Sequence, residues 1–318
     1  MIFAPLAISA ALAIASIQTP VPVPAPQAQA APAPTPATEV IREEGLVAEY
    51  FEARGDAISP GAVVVLGGSE GGLRGSRNLA RRLAGEGFPS IAVSYFGEAG
   101  QPTKLDQIPI ESVARAIDWL EAHDVRGPVA VVGVSKGAEL ALLTASRESR
   151  IKAVVAAVPS HVVWQGIDMA GGQTGSSWSA DGAPLVYTPY DLSNGFTGIF
   201  NLYRDSLPGA PADSEIPVEA IAGPVMLVSG EADGLWPSTE MARRIEQRLR
   251  DRGFAHPVQH LSYPDAGHAV FGPPVAADTP GLQNVLSVGG TIEGLVAARA
   301  DGWPRVLAFL REALAGGS

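Results

Sequence analysis

The apolar positions of this chain fall into short runs, and most of the runs are continuous rather than alternating. Val47 to Phe51 is an exception: it alternates and predicts an early antiparallel strand, ended by Gly55-Asp56. Ala62-Val63-Val64-Val65-Leu66 is apolar throughout and closed by Gly67-Gly68. Ser90 to Tyr95 is predicted as a second buried strand, and Val129 to Val132, Ile151 to Val158, Pro224 to Ser229 and Val258 to Ser262 as further strands. Continuous runs of this length suit strands buried on both faces. Between them the spacing turns helical. Leu79 and Leu83 share a face in Asn78 to Gly85, and Val113, Ile117 and Leu120 share one in Ile110 to Ala122. Further helices are predicted over Ala138 to Ala145, Ser238 to Arg250 and Trp303 to Leu314. Strands alternating with helices imply an α/β fold, a mostly parallel sheet covered on both faces. Residues 161–220 break the alternation. They are rich in Gly, Ser, Pro, Asp and aromatics, and are expected to form an insert after the sixth strand, a lid over the sheet's C-terminal edge.

The 318 residues suit one large domain, and 46% hydrophobic residues are enough for a sizeable core. Residues 1–38 stand apart, because no side chain there is charged. Phe3 to Ile17 is apolar, and Ala28-Gln29-Ala30 has the small-x-small pattern of a signal-peptidase site. Pro, Ala, Val and Gln make up nearly all of Thr19 to Thr38. The expectation is a signal peptide over 1–30, a Pro/Ala linker over 31–38 and one folded domain over 39–318. The apolar run is shorter than the roughly 20 residues that span a bilayer, so no stable membrane span is expected. A working signal places the protein in the periplasm or outside the cell; without one it is cytoplasmic.

Charge and composition remove several classes of function. Lys and Arg number 22 against 33 Asp and Glu, and no basic stripe exists to track a phosphate backbone, so nucleic acid is not an expected partner. The absence of Cys removes disulfides, thiolate metal sites and a Cys nucleophile. No His-x-His or carboxylate cluster has ligand spacing, so neither metal nor cofactor is expected. The run Gly67-Gly68-Ser69-Glu70-Gly71-Gly72 matches neither a P-loop nor a dinucleotide fingerprint.

What remains is acyl-transfer chemistry. Gly133-Val134-Ser135-Lys136-Gly137 is a Gly-x-Ser-x-Gly between a predicted strand and a predicted helix, where a sharp turn can hold a serine above the sheet. A serine hydroxyl needs a base, and the base an orienting acid. Asp233 lies in the turn after Pro224 to Ser229, and His268 follows the last strand in Tyr263-Pro264-Asp265-Ala266-Gly267-His268. Glu231 and Asp265 are rival acids; the first lies close to its strand end and the second reads as a turn former. His123, His256 and His260 fit capping or structural positions. Two backbone amides are expected to hold the oxyanion, those of Lys136 and, in the loop after the third strand, Ser69. Glu70, His161 and Trp236 are candidate substrate contacts. Aromatics of the insert could line an acyl pocket or anchor the insert to the core. A small acidic-headed substrate would need a basic contact, for which Arg74 and Lys136 are the nearby candidates.

With Ser, Asp and His in that chain order, the sequence resembles the C-terminal catalytic domain of acyl-CoA thioester hydrolases and bile acid-CoA:amino acid N-acyltransferases. The resemblance is carried by Gly71-Gly72-Leu73, Gly133 to Leu140, Ser229-Gly230-Glu231-Ala232-Asp233 with Trp236 and Ser238, Tyr263 to His268, and Pro159-Ser160-His161 and Pro184-Leu185 in the insert. It runs from about Val63 to Leu314 and implies the α/β-hydrolase fold, near the dienelactone hydrolases. It further implies Ser135 as nucleophile, Asp233 as acid and His268 as base. Thioesterases of this family carry Ser where the acyltransferases tend to carry Cys, so Ser135 implies water as the acceptor. The expected partner is a small acyl thioester or ester, cleaved through an acyl-enzyme. A carboxylesterase or dienelactone-type hydrolase with no use for CoA is the alternative that export favours.

Overall fold

The structure, a computed structural model, describes residues 37–43, 45–55 and 60–315. The expected signal peptide and nearly all of the expected linker lie outside the described residues. Eight strands form the main sheet: β1 (Glu39–Glu43), β2 (Leu46–Phe51), β3 (Ala62–Leu66), β4 (Ser90–Ser94), β5 (Val129–Val134), β6 (Ile151–Ala157), β7 (Val225–Gly230) and β8 (Val258–Tyr263). Their order is β1-β2-β4-β3-β5-β6-β7-β8. β1 pairs antiparallel with β2, and β2 with β4; every other neighbouring pair is parallel.

Six α-helices accompany them in the described residues: α1 (Arg74–Gly85), α2 (Ser112–Ala122), α3 (Lys136–Ala145), α4 (Ile199–Ser206), α5 (Ser238–Asp251) and α6 (Ile292–Leu314). The two faces of the sheet carry separate cores. Val64 and Leu66 of β3 belong to one core, with Ile117 of α2, Leu140 of α3 and Ile245 of α5; Val63 and Val65 belong to the other, with Leu83 of α1 and Leu310 of α6. This period of two inside an unbroken apolar run is why the run carries no polar residue.

The topology locates the site. From β3 the chain crosses through α1 to β4 on one side, then through α2 to β5 on the other side of β3. The loops leaving β3 and β5 therefore part at a crevice, and crevices of this kind hold ligands in open α/β sheets. Those loops carry Ser69 and Ser135.

Three boundaries differ from expectation. β1 lies in the charged stretch Glu39–Glu43, where only Ile41 is buried, so an exposed edge strand left no apolar pattern to read. Its pairing starts earlier still, inside the expected linker, because the Thr38 amide donates to the Tyr50 carbonyl at 2.8 Å. α6 starts at Ile292 rather than Trp303: the Thr291 hydroxyl caps it by accepting from the Gly294 amide at 2.9 Å, and Pro304 lies inside the helix instead of at its start.

Residues 161–220 do form an insert, but much of it is bound to the core. Segments 178–180 and 183–184 make a small sheet with 108–109. Beneath it, the Lys136 ammonium donates to Glu139 at 2.6 Å and to the Ser177 hydroxyl at 2.8 Å. Glu139 also accepts from the Trp164 amide at 3.0 Å and the Trp178 indole at 2.7 Å. Both charges are buried; burial pushes the Lys136 pKa down and the Glu139 pKa up. The pair ties α3 to three residues of the insert. Trp164, Tyr190 and Tyr203 pack on one another, and Tyr203 meets Trp236 edge-on, so these aromatics anchor the insert.

Candidate active site

Ser135 sits between β5 and α3 with φ 56° and ψ −120°, a conformation that costs a non-glycine residue on the order of 1–3 kcal/mol. The turn can be this tight because its neighbours lack side chains. A Cβ on Gly133 would stand 2.1 Å from the Gly137 carbonyl oxygen, and one on Gly137 would stand 2.2 Å from that of Gly67. The Ser135 amide donates to Ala157 at 2.9 Å, which pins the turn to β6. Ser135 is 7% exposed and lines a cavity of about 710 Å³ that His268 also lines.

Asp233 follows β7 and His268 follows β8. The Asp233 carboxylate accepts from the amides of Leu235 and Trp236 and from the Ser238 hydroxyl, at 2.9, 3.2 and 2.6 Å. Its Oδ2 also faces His268 Nδ1 at 2.9 Å. A carboxylate offers only acceptors, so Nδ1 carries the proton and Nε2 of a neutral imidazole keeps its lone pair. The indole of Trp236 backs His268, with ring centroids 5.9 Å apart. The rival acids lie elsewhere: Glu231 accepts from Ser262 and pairs with Arg243, and the Asp265 carbonyl accepts from the Thr291 amide.

A third segment, unrecognised from sequence, braces both loops. Gly289 bridges to Asp233 and Gly290 to Ala266, and the His268 amide donates to Val288 at 3.0 Å. Gly289 has φ 90°, and a Cβ there would lie 2.1 Å from the Ala232 carbonyl oxygen. Distance in sequence hides this brace, though the Gly-Gly pair just before a helix was a visible sign.

The loop after β3 is held from below. The Tyr95 hydroxyl donates to the carbonyls of Gly67 and Gly68 at 2.7 and 2.9 Å. Burial raises the Tyr95 pKa well above its ordinary value, so it stays a donor. The Gly68 carbonyl and the Ser69 N–H belong to one trans peptide and point opposite ways. Drawing the carbonyl to Tyr95 turns the Ser69 amide away from it, and Ser69 lines the cavity.

The other expected contacts divide. Glu70 lines the cavity, its carboxylate lying over Gly67, Gly68 and Gly75. Trp236 does not line it; the ring is fully buried behind His268. His161 is placed in a separate cavity of about 230 Å³ against α5, beside Glu215, Arg244 and Arg248. Burial pushes its pKa down to about 4. The basic contacts change too: the Lys136 side chain is spent on Glu139, Arg74 is exposed outside the cavity, and the cation that does line it is Arg299. From the insert, only Met169 reaches the cavity lining, and it is 91% exposed. A second Ser-His-carboxylate array is structural: Ser229 meets His260 at 2.8 Å and His260 meets Glu246 at 2.8 Å, but Ser229 is wholly buried.

The family described as BAAT / acyl-CoA thioester hydrolase C terminal matches residues 108–316, which contain Ser135, Asp233 and His268. The chain belongs to this family. The X-Pro dipeptidyl-peptidase (S15) family also matches, over residues 16–190, a range that includes Ser135 but neither Asp233 nor His268. Among curated relatives, acyl-coenzyme A thioesterase 6 of Mus musculus is 30% identical over 296 residues, 87% of this chain and 65% of the relative. The peroxisomal succinyl-coenzyme A thioesterase of Mus musculus is 27% identical over 278 residues, 85% of this chain and 63% of the relative. The chain thus spans just under two thirds of the length of these BAAT-family relatives. Among solved structures, a Klebsiella pneumoniae protein assigned to the dienelactone hydrolases superposes with a TM-score of 0.51 at 18% identity, covering 83% of this chain and 91% of that one. The fold is that of the α/β hydrolases. Among the described residues no helix is long and apolar enough to cross a membrane.

Proposed function

We propose that this BAAT-family protein is a serine hydrolase that cleaves an acyl thioester, of the acyl-CoA kind, or an ester through an acyl-enzyme on Ser135. The observation that carries the proposal is the convergence of a strained Ser135 and an Asp233-oriented His268 on one cavity. Ser135 Oγ attacks the acyl carbon while His268 Nε2 takes its proton. The amides of Lys136 and Ser69 donate to the oxyanion, and Asp233 stabilises the imidazolium. The C–S or C–O bond then breaks, and His268 returns the proton to the leaving thiol or alcohol. Water enters, gives its proton to His268 and attacks the acyl-Ser135 ester. The acid leaves, and Ser135 regains its proton.

The names of the curated relatives favour a thioester. The apolar Phe3 to Ile17 and the Ala28-Gln29-Ala30 pattern favour a second reading, an exported carboxylesterase that does not use CoA. Thiol release from a chain-length series of acyl-CoAs, measured beside alcohol release from matched esters, separates them. The proposal expects kcat/KM for thioesters to exceed that for esters, with Ser135→Ala inactive on both. Ester turnover with negligible CoA release would support the second reading.

A further inference from the structure

Arg299, on α6, is a cation that lines the catalytic cavity without an ion-pair partner among the described residues. Its Nε and Nη2 donate to the Ala269 carbonyl at 3.1 and 2.8 Å, one residue past His268. Two of its five N–H groups are thereby used, and a Cβ added at Gly272 would stand 3.5 Å from Nη1. Arg77, Arg150 and Arg248 each sit on a carboxylate, whereas no ion pair forms at Arg299 among the described residues. Burial lowers its pKa with no charged neighbour contributing, yet a guanidinium stays protonated. A largely buried charge with no counter-ion is unfavourable, and donors left over in a cavity can be satisfied by an incoming anion. Glu70 supplies the opposite charge to the lining, on the β3 loop. The cavity thus repels an anion on the β3-loop side and attracts one on the histidine-loop side.

We infer that Arg299 forms an anion subsite of the catalytic cavity, separate from the oxyanion donors, binding a carboxylate or phosphate group carried by the substrate. The inference rests on the hydrolase reading above and specifies the class of substrate. A carboxylate would come from the far end of the acyl group; a phosphate would come from a nucleotide-bearing thiol.

Four thioesters test it: pentanoyl and glutaryl groups, each on CoA and on N-acetylcysteamine, which lacks phosphates. Wild type, Arg299→Met and Arg299→Lys are compared by kcat/KM ratios, because Arg299 also holds Ala269 and absolute rates fall for every substrate. The expected result in Arg299→Met is a loss of about tenfold or more in the preference for the anionic member, mainly in KM, partly restored by Lys. A loss across the acyl pair assigns the subsite to the acyl carboxylate, and one across the thiol pair to the CoA phosphates. Equal falls for all four substrates would mean a merely structural arginine and overturn the inference. If wild type turns over none of them, calorimetry with glutarate and with CoA decides separately. Binding that Arg299→Met abolishes would keep the subsite and remove the hydrolase reading; no binding to wild type would overturn the subsite.

Discussion

Two side chains outside the lining of the catalytic cavity carry testable consequences. Tyr95 holds the Gly67 and Gly68 carbonyls and so orients the Ser69 amide. Tyr95→Phe keeps the ring against Trp178 and removes only the donor. Under the proposed mechanism kcat falls about 10- to 100-fold while KM changes little, as for a loosened oxyanion donor. An unchanged kcat would mean that the loop holds its shape without Tyr95. His161 has a different consequence, through pH. Burial pushes its pKa to about 4, with Arg244 and Arg248 adding to the depression and Glu215 opposing it. The unfolded chain, at the ordinary value near 6.5, binds the proton first. Stability from the neutral imidazole is therefore full above that value and lost as pH falls through about 4. Between about pH 7.5 and about pH 4.5, wild type should lose about 2–3 kcal/mol more unfolding free energy than His161→Gln. Parallel pH profiles in urea denaturation would contradict it.

Among elements, the segment ending in Gly289-Gly290 matters most and shows least in the sequence. It locks the acid loop to the histidine loop through backbone alone. Gly289→Ala adds a Cβ 2.1 Å from the Ala232 carbonyl oxygen, whereas Gly281→Ala, at φ 79°, meets nothing closer than Asn284 Nδ2 at 3.6 Å. Both substitutions carry the cost of positive φ, about 1 kcal/mol. Only Gly289→Ala should also displace Asp233, lowering kcat/KM by about a hundredfold or more beyond the Gly281→Ala effect. Equal losses in hydrolysis assays of the two variants would remove the brace from the account. Legibility follows the same logic. β3 and β5 are continuous apolar runs with nearly the expected bounds, because both of their faces pack against the core. β1 was illegible because its edge faces solvent, and the start of α6 because Pro304 mimics a helix start.

For the molecule as a whole, the crevice between the β3 and β5 loops gathers groups from five parts of the chain: Ser69, Ser135, Met169, His268 and Arg299 all line the cavity. The positions of Ser135, Asp233 and His268 at strand-end turns around the cavity were readable, since Gly-x-Ser-x-Gly and the later Asp and His stand in that chain order. The residues that orient or charge the cavity were not, since Tyr95 and Arg299 approach through tertiary packing from a strand end and a distant helix. Lys136 shows the converse: adjacency to Ser135 suggested a substrate contact, yet Glu139 three residues on, inside an apolar helix, marked the buried partner. The central claim is that Ser135 forms the covalent intermediate. Intact-protein mass spectrometry after treatment with a fluorophosphonate tests it most directly, on wild type, Ser135→Ala and His268→Ala. The account predicts one adduct per wild-type chain, located on Ser135, none on Ser135→Ala, and much slower labelling of His268→Ala. A full adduct on Ser135→Ala would contradict it.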